Sequence, residues 1–276
     1  MKTLMSDTLY CPLTHRMQYS KTYMSSMKSA HVHSCCELLF MTQGHLAVES
    51  NGQKLSFAAP AVLIFNPYNI HYNQSSPNEL YERYMIFYDT APITKYFSST
   101  EARSFFLDSN LITFTLTEEK RDILLSLFRR FGDFKGGSES FDLLTMLILH
   151  ELFDWHTPDN TFLVTPQIPY IMDVINYMVK NYSFDITLDS IAKEFFISRS
   201  KLVSDFKKAT GITLNKYLSI IRLHSARSLL LEKHSVAETA QLCGFNSESY
   251  FISQFTKEFG ITPGALMRKK SNEPDL

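Results

Sequence analysis

The N-terminal part of the chain alternates short apolar runs with turn signals. Residues 36–57 read CELLFMTQGHLAVESNGQKLSF, and the pair Asn51-Gly52 separates two apolar runs. Asn-Gly in this position is the strongest short signal for a β-hairpin. The stretch LYERYMIFYDT at 80–90 is rich in Tyr, Phe and Ile, as strands are. This pattern predicts a β-sandwich or small barrel over residues 1–116.

From Thr117 the apolar positions repeat with the period of a helix. The first predicted helix covers 117–131, and a second covers 138–156. Apolar side chains in the second helix extend well beyond one stripe, so that helix must bury more than one face. Two interpretations stay open: both faces pack within the chain, or one face pairs two copies of the chain. We assign 117–155 as a helical dimerisation segment. The inward-facing positions predicted for the two helices are Ile123, Leu124, Leu127, Phe128 and Phe131, then Phe141, Leu144, Ile148 and Leu152.

A proline-rich stretch follows the second helix. Residues 156–169 read HTPDNTFLVTPQIP, with three prolines and no helical period. This composition is typical of a linker. The remaining residues, 170–270, show helical patterns with short connections.

One ten-residue phrase occurs twice in this last part. FKKATGITLN begins at Phe206, and FTKEFGITPG begins at Phe255, 49 positions later. Each phrase ends a pattern of capped helix, short turn, capped helix and glycine stop, with caps at Thr187 and Ser198 in the first copy. This is the plan of a helix-turn-helix unit. The pattern therefore predicts two such units; the alternative is two unrelated helix pairs.

The segment between the two copies predicts an 18-residue helix from Leu214 to Leu231. At 1.5 Å per residue this helix is about 27 Å long, and one turn of DNA is about 34–36 Å. A spacer of this length favours two reading helices in successive major grooves of one duplex.

The second helix of each unit supplies the candidate contacts with DNA. Leu202 and Phe206 in one copy, and Phe251 and Phe255 in the other, are predicted to face the core. The positions between them then face outward, where short polar side chains and one Arg suit base edges and Lys suits phosphates. The predicted DNA-binding residues are Arg199, Ser200, Val203, Ser204, Lys207, Lys208, Ser247, Glu248, Ser249, Ile252, Ser253 and Lys257. For each of these residues the alternative is a solvated helix face.

Composition narrows the class of protein further. The chain has 276 residues and a formal net charge of −1. Residues 167–276 hold 14 Lys and Arg against 11 Asp and Glu, a mildly basic balance that suits an anionic partner. The four cysteines form no CxxC pair, which favours free thiols in a reducing compartment. No apolar run is long enough for a membrane span or a signal peptide. We therefore expect a cytoplasmic protein with no membrane contact.

The C-terminal motifs resemble those of the AraC/XylS-type transcriptional regulators. GFNSESYF at 244–251 and FGITP at 259–263 match the family signature, and the resemblance covers about residues 170–270. Ser204 and Ser253 stand where that family commonly has Arg. The resemblance implies a transcription regulator that binds double-stranded DNA. Such regulators are usually activators that contact RNA polymerase, and they are often homodimers. The implied fold class is α+β multidomain: an N-terminal cupin-like β-barrel with following helices, then an all-α domain of two helix-turn-helix units joined by a long helix.

The N-terminal part is similar to the cupin-type sensory barrel of the same family. HVHSCCELLFMTQG places His31, His33 and Glu37 at the spacing of the first cupin metal motif, and NPYNIHYN adds His71. Asn69 stands where the second motif usually has Gly. We predict that His31, His33, Glu37, His71 and Tyr84 line the pocket for a small-molecule effector, with sugars among the candidates. We predict no bound metal and no cofactor.

Two other interpretations remain from the sequence. One is a metal-dependent cupin enzyme with a DNA-binding tail, which needs three or four intact ligands with open coordination sites. The other is a regulator with no ligand, controlled by its own abundance. The leading prediction is a non-enzymatic transcription factor controlled by an effector.

Overall fold

We analysed a computed structural model, which describes residues 15–23, 32–50, 52–132, 137–164 and 168–271. The chain divides into two compact units between Thr165 and Pro166. The N-terminal unit is built on β-sheets with four helices, and the C-terminal unit is all helical. The predicted α+β multidomain fold class is confirmed.

Nine strands form two sheets in the N-terminal unit. A six-stranded sheet has the order β1-β7-β2-β5-β8-β9, and a three-stranded sheet has the order β4-β3-β6. All the pairings are antiparallel. The strands are β1 Arg16–Thr22, β2 Cys36–Gln43, β3 His45–Ser50, β4 Gln53–Ala58, β5 Ala61–Phe65, β6 His71–Ser75, β7 Tyr81–Tyr88, β8 Leu111–Thr115 and β9 Thr161–Val164.

Strand β2 shows how the sheet serves two cores. Leu38 and Phe40 lie on one face, in a cluster with the helices, whereas Leu39 and Met41 lie on the other face, between the two sheets. Alternate residues of a strand point to opposite faces, so a strand buried on both faces reads as a continuous apolar run. The helices of this unit are α1 Ala91–Tyr96, α2 Thr100–Leu107, α3 Glu118–Gly132 and α4 Ser138–Trp155.

The predicted hairpin joins β3 and β4. Ser50 lies opposite Gln53, as the predicted hairpin requires, and Asn51 lies outside the described residues. Two short helices, α1 and α2, occur where only strands and turns were predicted. They have six and eight residues, too few for a helical period to show in the sequence.

The prediction of a linker over 156–169 is wrong for four residues. Thr161 to Val164 form β9, which pairs with β8 at the edge of the larger sheet. Val164 is buried in the core between the sheets. The four-residue run is β-prone, but the prolines on either side of it gave the whole segment the composition of a linker.

The surface of α3 and α4 is only partly covered. The helices are confirmed, and Leu124, Phe128, Ile148 and Leu152 are fully buried, as predicted. Three apolar residues remain exposed on these helices: Ile123 at 40%, Leu143 at 50% and Leu147 at 43%. The prediction that Ile123 faces inward is therefore wrong, because the buried stripe of α3 runs through Leu124 and Phe128 instead. Most of the apolar surface of α4 is therefore used within the chain, and a smaller part is not.

The C-terminal unit has seven helices among its described residues. They are α5 Tyr170–Asn181, α6 Leu188–Glu194, α7 Arg199–Thr210, α8 Leu214–Leu231, α9 Val236–Leu242, α10 Glu248–Phe259 and α11 Pro263–Ser271. Helix α8 has the predicted bounds and is buried along most of its length, since the other helices pack around it. Its cluster with α9 and α10 includes Phe251, Phe255 and Phe259. Across the described parts of the whole chain, we find no helix with the length and apolar content to cross a membrane.

Candidate functional site

The two helix-turn-helix units share one turn geometry. In the first unit the Ile197 N–H donates to the Ala192 carbonyl at 3.0 Å, and in the second the Phe245 N–H donates to the Ala240 carbonyl at 2.9 Å. These pairs lie 48 residues apart, whereas α7 and α10 begin 49 residues apart, at Arg199 and Glu248. The second turn therefore contains one extra residue.

The ends of α7 and α10 are capped as the repeated phrase requires. The Ser198 and Ser247 hydroxyls accept from backbone N–H groups in the first turn of each helix, at 3.2 and 3.3 Å. Gly211 and Gly260 end the helices with φ of 79° and 70°, a left-handed conformation that glycine adopts without steric cost. The sequence alone therefore fixes the bounds of both helices.

The predicted outward faces are exposed in the structure. Leu202, Phe206, Phe251 and Phe255 have no exposed surface, so α7 and α10 present their opposite faces to solvent. Ile252 departs from the prediction, since it is half-buried against the core of the second unit. Contact with DNA stays a prediction for all twelve residues. The exposed members are Arg199, Ser200, Val203, Ser204, Lys207, Lys208, Ser247, Glu248, Ser249, Ser253 and Lys257.

The charges of the first unit are arranged around α7. The Arg199 guanidinium lies 3.1 Å from the Asp189 carboxylate on α6, and both side chains are more than half exposed. An exposed pair of this kind contributes little to stability and can open for another anion. Together with Ser200, Val203 and Ser204, Arg199 lines an open depression on this surface.

A second polar network fixes α7 against α5. The Tyr170 hydroxyl donates to the Asp205 carboxylate at 2.7 Å, and Lys201 lies 2.6 Å from the same oxygen. Burial and this hydrogen bond raise the pKa of Tyr170. The hydrogen bond from Lys201, followed by that from Tyr170, lowers the pKa of Asp205. Lys207 and Lys208 form no ion pair with any residue that the structure describes, so their charges face solvent.

The second unit is tied to the loop between α5 and α6. Arg222 on α8 donates from Nε to the Tyr182 carbonyl and from Nη2 to the Phe184 carbonyl, both at 2.8 Å. Gly244 has a φ of 73°, and a Cβ at this position would lie 2.9 Å from the carbonyl oxygens of Tyr182 and Ser183. The turn therefore packs so closely on the loop that only glycine fits.

The N-terminal unit brings three of the predicted pocket residues together. His33 Nε2 lies 3.0 Å from Glu37 Oε2, and His71 Nε2 lies 3.5 Å from the same oxygen. All three side chains are buried. Glu37 belongs to β2 and His71 to β6, whereas His33 precedes β2. His31 lies outside the described residues. We name His33, Glu37 and His71 the buried triad.

Tyr84 does not join the buried triad. It lies opposite Phe40 of β2, whereas Glu37 lies opposite Phe87. Its ring packs on Phe40 and on Phe128 of α3, with centroids 6.1 and 5.4 Å away. Tyr84 therefore belongs to the face of the sheet that packs against the helices. The prediction for Tyr84 was wrong because the alternation along β7 shows which residues share a face, but not which of the two faces also carries Glu37. That assignment requires the register between β7 and β2.

Strand β7 contributes two polar residues that were not predicted as site residues. Arg83 lies opposite Met41 on the inner face, and its guanidinium lies 5.0 Å from the centre of the Tyr81 ring. Burial raises the pKa of Tyr81. Burial also acts to raise the pKa of Glu37, but hydrogen bonds from His33 and His71 outweigh it and hold that pKa well below its usual value.

Comparisons with known proteins agree with both halves of this structure. The family model described as "AraC-like ligand binding domain" matches residues 18–153, and the model described as "Helix-turn-helix domain" matches 191–269. The ligand-binding-domain match thus precedes the helix-turn-helix match along the chain. The chain belongs to the AraC family, as its C-terminal motifs indicate.

Two curated relatives illustrate the extent of the likeness. An uncharacterised HTH-type transcriptional regulator of Pseudoalteromonas carrageenovora is 38% identical over 102 residues, which are 37% of this chain and 61% of the relative. The lactose operon transcription activator of Staphylococcus xylosus is 28% identical over 173 residues, 58% of this chain and 59% of the relative. The chain therefore spans about three fifths of the length of each.

A solved structure shows the same fold over nearly the whole chain. ToxT of Vibrio cholerae, in a form with bound unsaturated fatty acid, is 12% identical with a TM-score of 0.52. The likeness covers 95% of this chain and 97% of that one. At this identity it indicates a shared fold and nothing about ligands.

Proposed function

We propose that this protein is a transcription activator that binds double-stranded DNA and is controlled by a small molecule held in its N-terminal unit. The single observation that carries the proposal is the pair of capped helix-turn-helix units with solvent-facing second helices. The family assignment and the activator named among its relatives support it. On this proposal the protein is not an enzyme, and it acts through contact with RNA polymerase.

DNA binding is tested with duplexes selected from a random-sequence pool by the full-length protein. Binding is measured by fluorescence anisotropy between 50 and 200 mM salt. Neutralising six to ten phosphates lowers the affinity by about 10³–10⁵ over this range. Arg199→Glu places a negative charge on the reading face and should abolish binding. Lys54→Glu, an equal charge change in the N-terminal unit, is the matched control. An Arg199→Glu protein that binds like the wild type would remove α7 from the interface.

The buried triad supports the N-terminal unit as the effector site. Buried groups with hydrogen-bonding and ionic capacity inside an otherwise apolar interior orient small ligands. Sugars head the candidates, because one relative is named an activator of the lactose operon. A thermal-shift screen against sugars, amino acids and organic acids tests this. Binding to the folded state raises the free energy of unfolding by RT ln(1 + L/Kd), where L is the free ligand concentration, so the stabilisation grows with the logarithm of that concentration above Kd. The rival, a regulator with no ligand, predicts that no compound raises the melting temperature.

Pairing of two chains through α3 and α4 completes the proposal. The exposed residues Leu143 and Leu147 lie one turn apart on α4, and Ile123 is exposed on α3. Exposed apolar side chains of this kind favour a symmetric contact between two copies. Leu147→Glu should convert a dimer to a monomer in sedimentation velocity. Ile148 is unsuitable for this test, since it is fully buried and a charge there would unfold the unit. Arg129→Glu, on an exposed part of α3, serves as the control. A Leu147→Glu protein that still sediments as a dimer would exclude this surface.

A further inference from the structure

The buried triad has the geometry of a metal site. Glu37 Oε2 lies 3.0 Å from His33 Nε2 and 3.5 Å from His71 Nε2, and the three donor atoms all lie within 4.8 Å of one another. Donors about 2.1 Å from a common ion lie about 3.0 Å apart in octahedral coordination and about 3.4 Å apart in tetrahedral coordination. The two distances fall at these values. Among the residues that the structure describes, this is the one group of three His, Cys, Asp or Glu side chains with such convergence.

The orientation of the His71 ring places one nitrogen at the carboxylate. Its Nδ1 lies 3.1 Å from the backbone carbonyl oxygen of Asn69. A carbonyl only accepts hydrogen bonds, so Nδ1 donates there. Nε2 is therefore the ring nitrogen that faces Glu37 Oε2, and it is the atom that would bind a metal ion in exchange for its proton.

One loop supports both histidines from behind. The Asn69 side chain accepts from Ser50 at 3.0 Å and donates to the Asn110 carbonyl at 2.8 Å, which fixes the carbonyl that holds His71. The Tyr68 N–H of the same loop donates to the His33 carbonyl at 2.7 Å. A backbone carbonyl behind a histidine ring is the usual outer support of a metal ligand. Asn69, where the cupin motif usually has glycine, thus contributes to this support.

Aromatic rings exclude water from the buried triad. Phe65 stacks on the His71 ring with centroids 4.0 Å apart, and Phe87 lies edge-on to His33 at 5.6 Å. Glu37 is 2% exposed. Buried carboxyl and imidazole groups in proteins are paired with one another or coordinate metal ions.

The geometry points to a divalent first-row transition-metal ion bound by His33 Nε2, His71 Nε2 and Glu37 Oε2. Two imidazoles and one carboxylate on one side of an ion suit ferrous iron or zinc, and they leave coordination positions open for oxygen donors of an effector. This inference departs from the sequence-based prediction that these side chains hold no metal. It does not depend on DNA binding, which the anisotropy experiment tests separately.

The decisive experiment uses the full-length wild-type protein. The protein is stripped with chelator, and Co²⁺ is then titrated anaerobically while the visible ligand-field bands are recorded. We expect saturation at one ion per chain, displacement by one equivalent of Zn²⁺, and a higher melting temperature of the loaded protein. No saturable uptake of Co²⁺, Zn²⁺ or Fe²⁺ by folded protein overturns the inference and leaves the buried triad to bind protons only.

Two variants then assign the ligands. Glu37→Gln and His71→Gln keep the side-chain size and should weaken binding by more than about 100-fold, because even outer-shell changes cost 10- to 100-fold. The matched control is His45→Gln, since His45 and Glu79 form an exposed His–carboxylate pair with atoms 2.8 Å apart in the same unit. The control should bind like the wild type. Equal loss in all three variants, or wild-type binding by the two triad variants, contradicts this ligand set. Trp155 fluorescence reports whether each variant is folded. If a variant does not fold, the Co²⁺ titration of the wild-type protein alone tests the inference.

Discussion

The two helix-turn-helix turns each contain a left-handed residue at the same position after the first helix, but the residue types differ. At the left-handed position the first turn has Phe196, with φ of 53° and 96% of its side chain exposed. The second turn has Gly244, with φ of 73° and two carbonyl oxygens 2.9 Å from where a Cβ would lie. A left-handed conformation costs a residue with a side chain about 1–2 kcal/mol. The first turn tolerates this cost because its side chain projects into solvent, whereas the second turn has no space.

This difference shows that the two helix-turn-helix units repeat a similar local structure in different surroundings. The second turn is anchored to the loop after α5 through Arg222 and the backbone around Tyr182. The first turn has no such cover over Phe196. The two reading helices also differ in charge: α7 carries Arg199, Lys207 and Lys208, whereas α10 carries Glu248 and Lys257. We therefore expect the first unit to be adaptable and the main source of phosphate binding, and the second to be rigid.

The largest expected effect is that of Gly244→Ala. The left-handed backbone and the contact with two carbonyl oxygens should together destabilise the C-terminal unit by about 2–4 kcal/mol. The measurement is amide hydrogen exchange in peptides that cover α9 and α10. Trp155 lies in the N-terminal unit, so its fluorescence during unfolding should not change and provides an internal control. Unchanged protection of α9 and α10 would show that the loop yields to the methyl group.

The next effect is that of Lys207→Glu on DNA affinity. A phosphate contact is replaced by repulsion, so affinity should fall by about 10-fold or more, and the salt dependence should decrease by about one to two counterions. Lys257→Glu is the matched change on α10. If both variants lose affinity equally, the two units share phosphate binding and the proposed asymmetry is wrong.

A smaller effect, of opposite sign, is expected for Phe196→Gly. Glycine removes the left-handed strain, and the exposed ring gives up no packing, so the first unit should gain about 0.5–1 kcal/mol after the backbone entropy of glycine is subtracted. Hydrogen exchange of α6 and α7 measures this gain. Phe196→Ala keeps the strain and should leave protection close to that of the wild type. Lower protection in the glycine variant would mean that the Phe196 ring packs against a neighbour.

The smallest effect is expected for Glu248→Gln. Removing one negative charge from the start of α10 should raise DNA affinity about 2- to 5-fold at low salt, with less effect at high salt because surface charges are screened. Anisotropy titrations at two salt concentrations measure this change. Glu101→Gln, an exposed carboxylate on α2 of the N-terminal unit, gives the background effect of one removed carboxylate. An affinity that does not exceed this background would place Glu248 away from the phosphates.

Much of the C-terminal unit could be predicted because its signals are local. Caps at Thr187, Ser198, Thr213 and Ser235 act within one helical turn, and each is present in the structure. The glycine stops act in the same way. Phe196 could not be interpreted from the sequence, since a phenylalanine does not reveal a positive φ.

The N-terminal unit was harder to predict because its site depends on pairing between distant strands. Glu37 and His71 belong to different sheets, and their convergence follows from the register of Ser50 with His71. The motif spacing indicated the buried triad, but the side of the sheet on which Tyr84 lies required the pairing of β2 with β7. The role of Asn69 depends on Asn110, which is 41 residues away.

The most direct test of the account is a hydroxyl-radical footprint of the full-length protein on a selected duplex. If both helix-turn-helix units grip one DNA molecule, each bound chain should protect two patches on one face, about 10 base pairs apart. Gly244→Ala should lose the patch of the second unit first. A single protected patch per chain, or two patches on opposite faces of the duplex, would contradict the account.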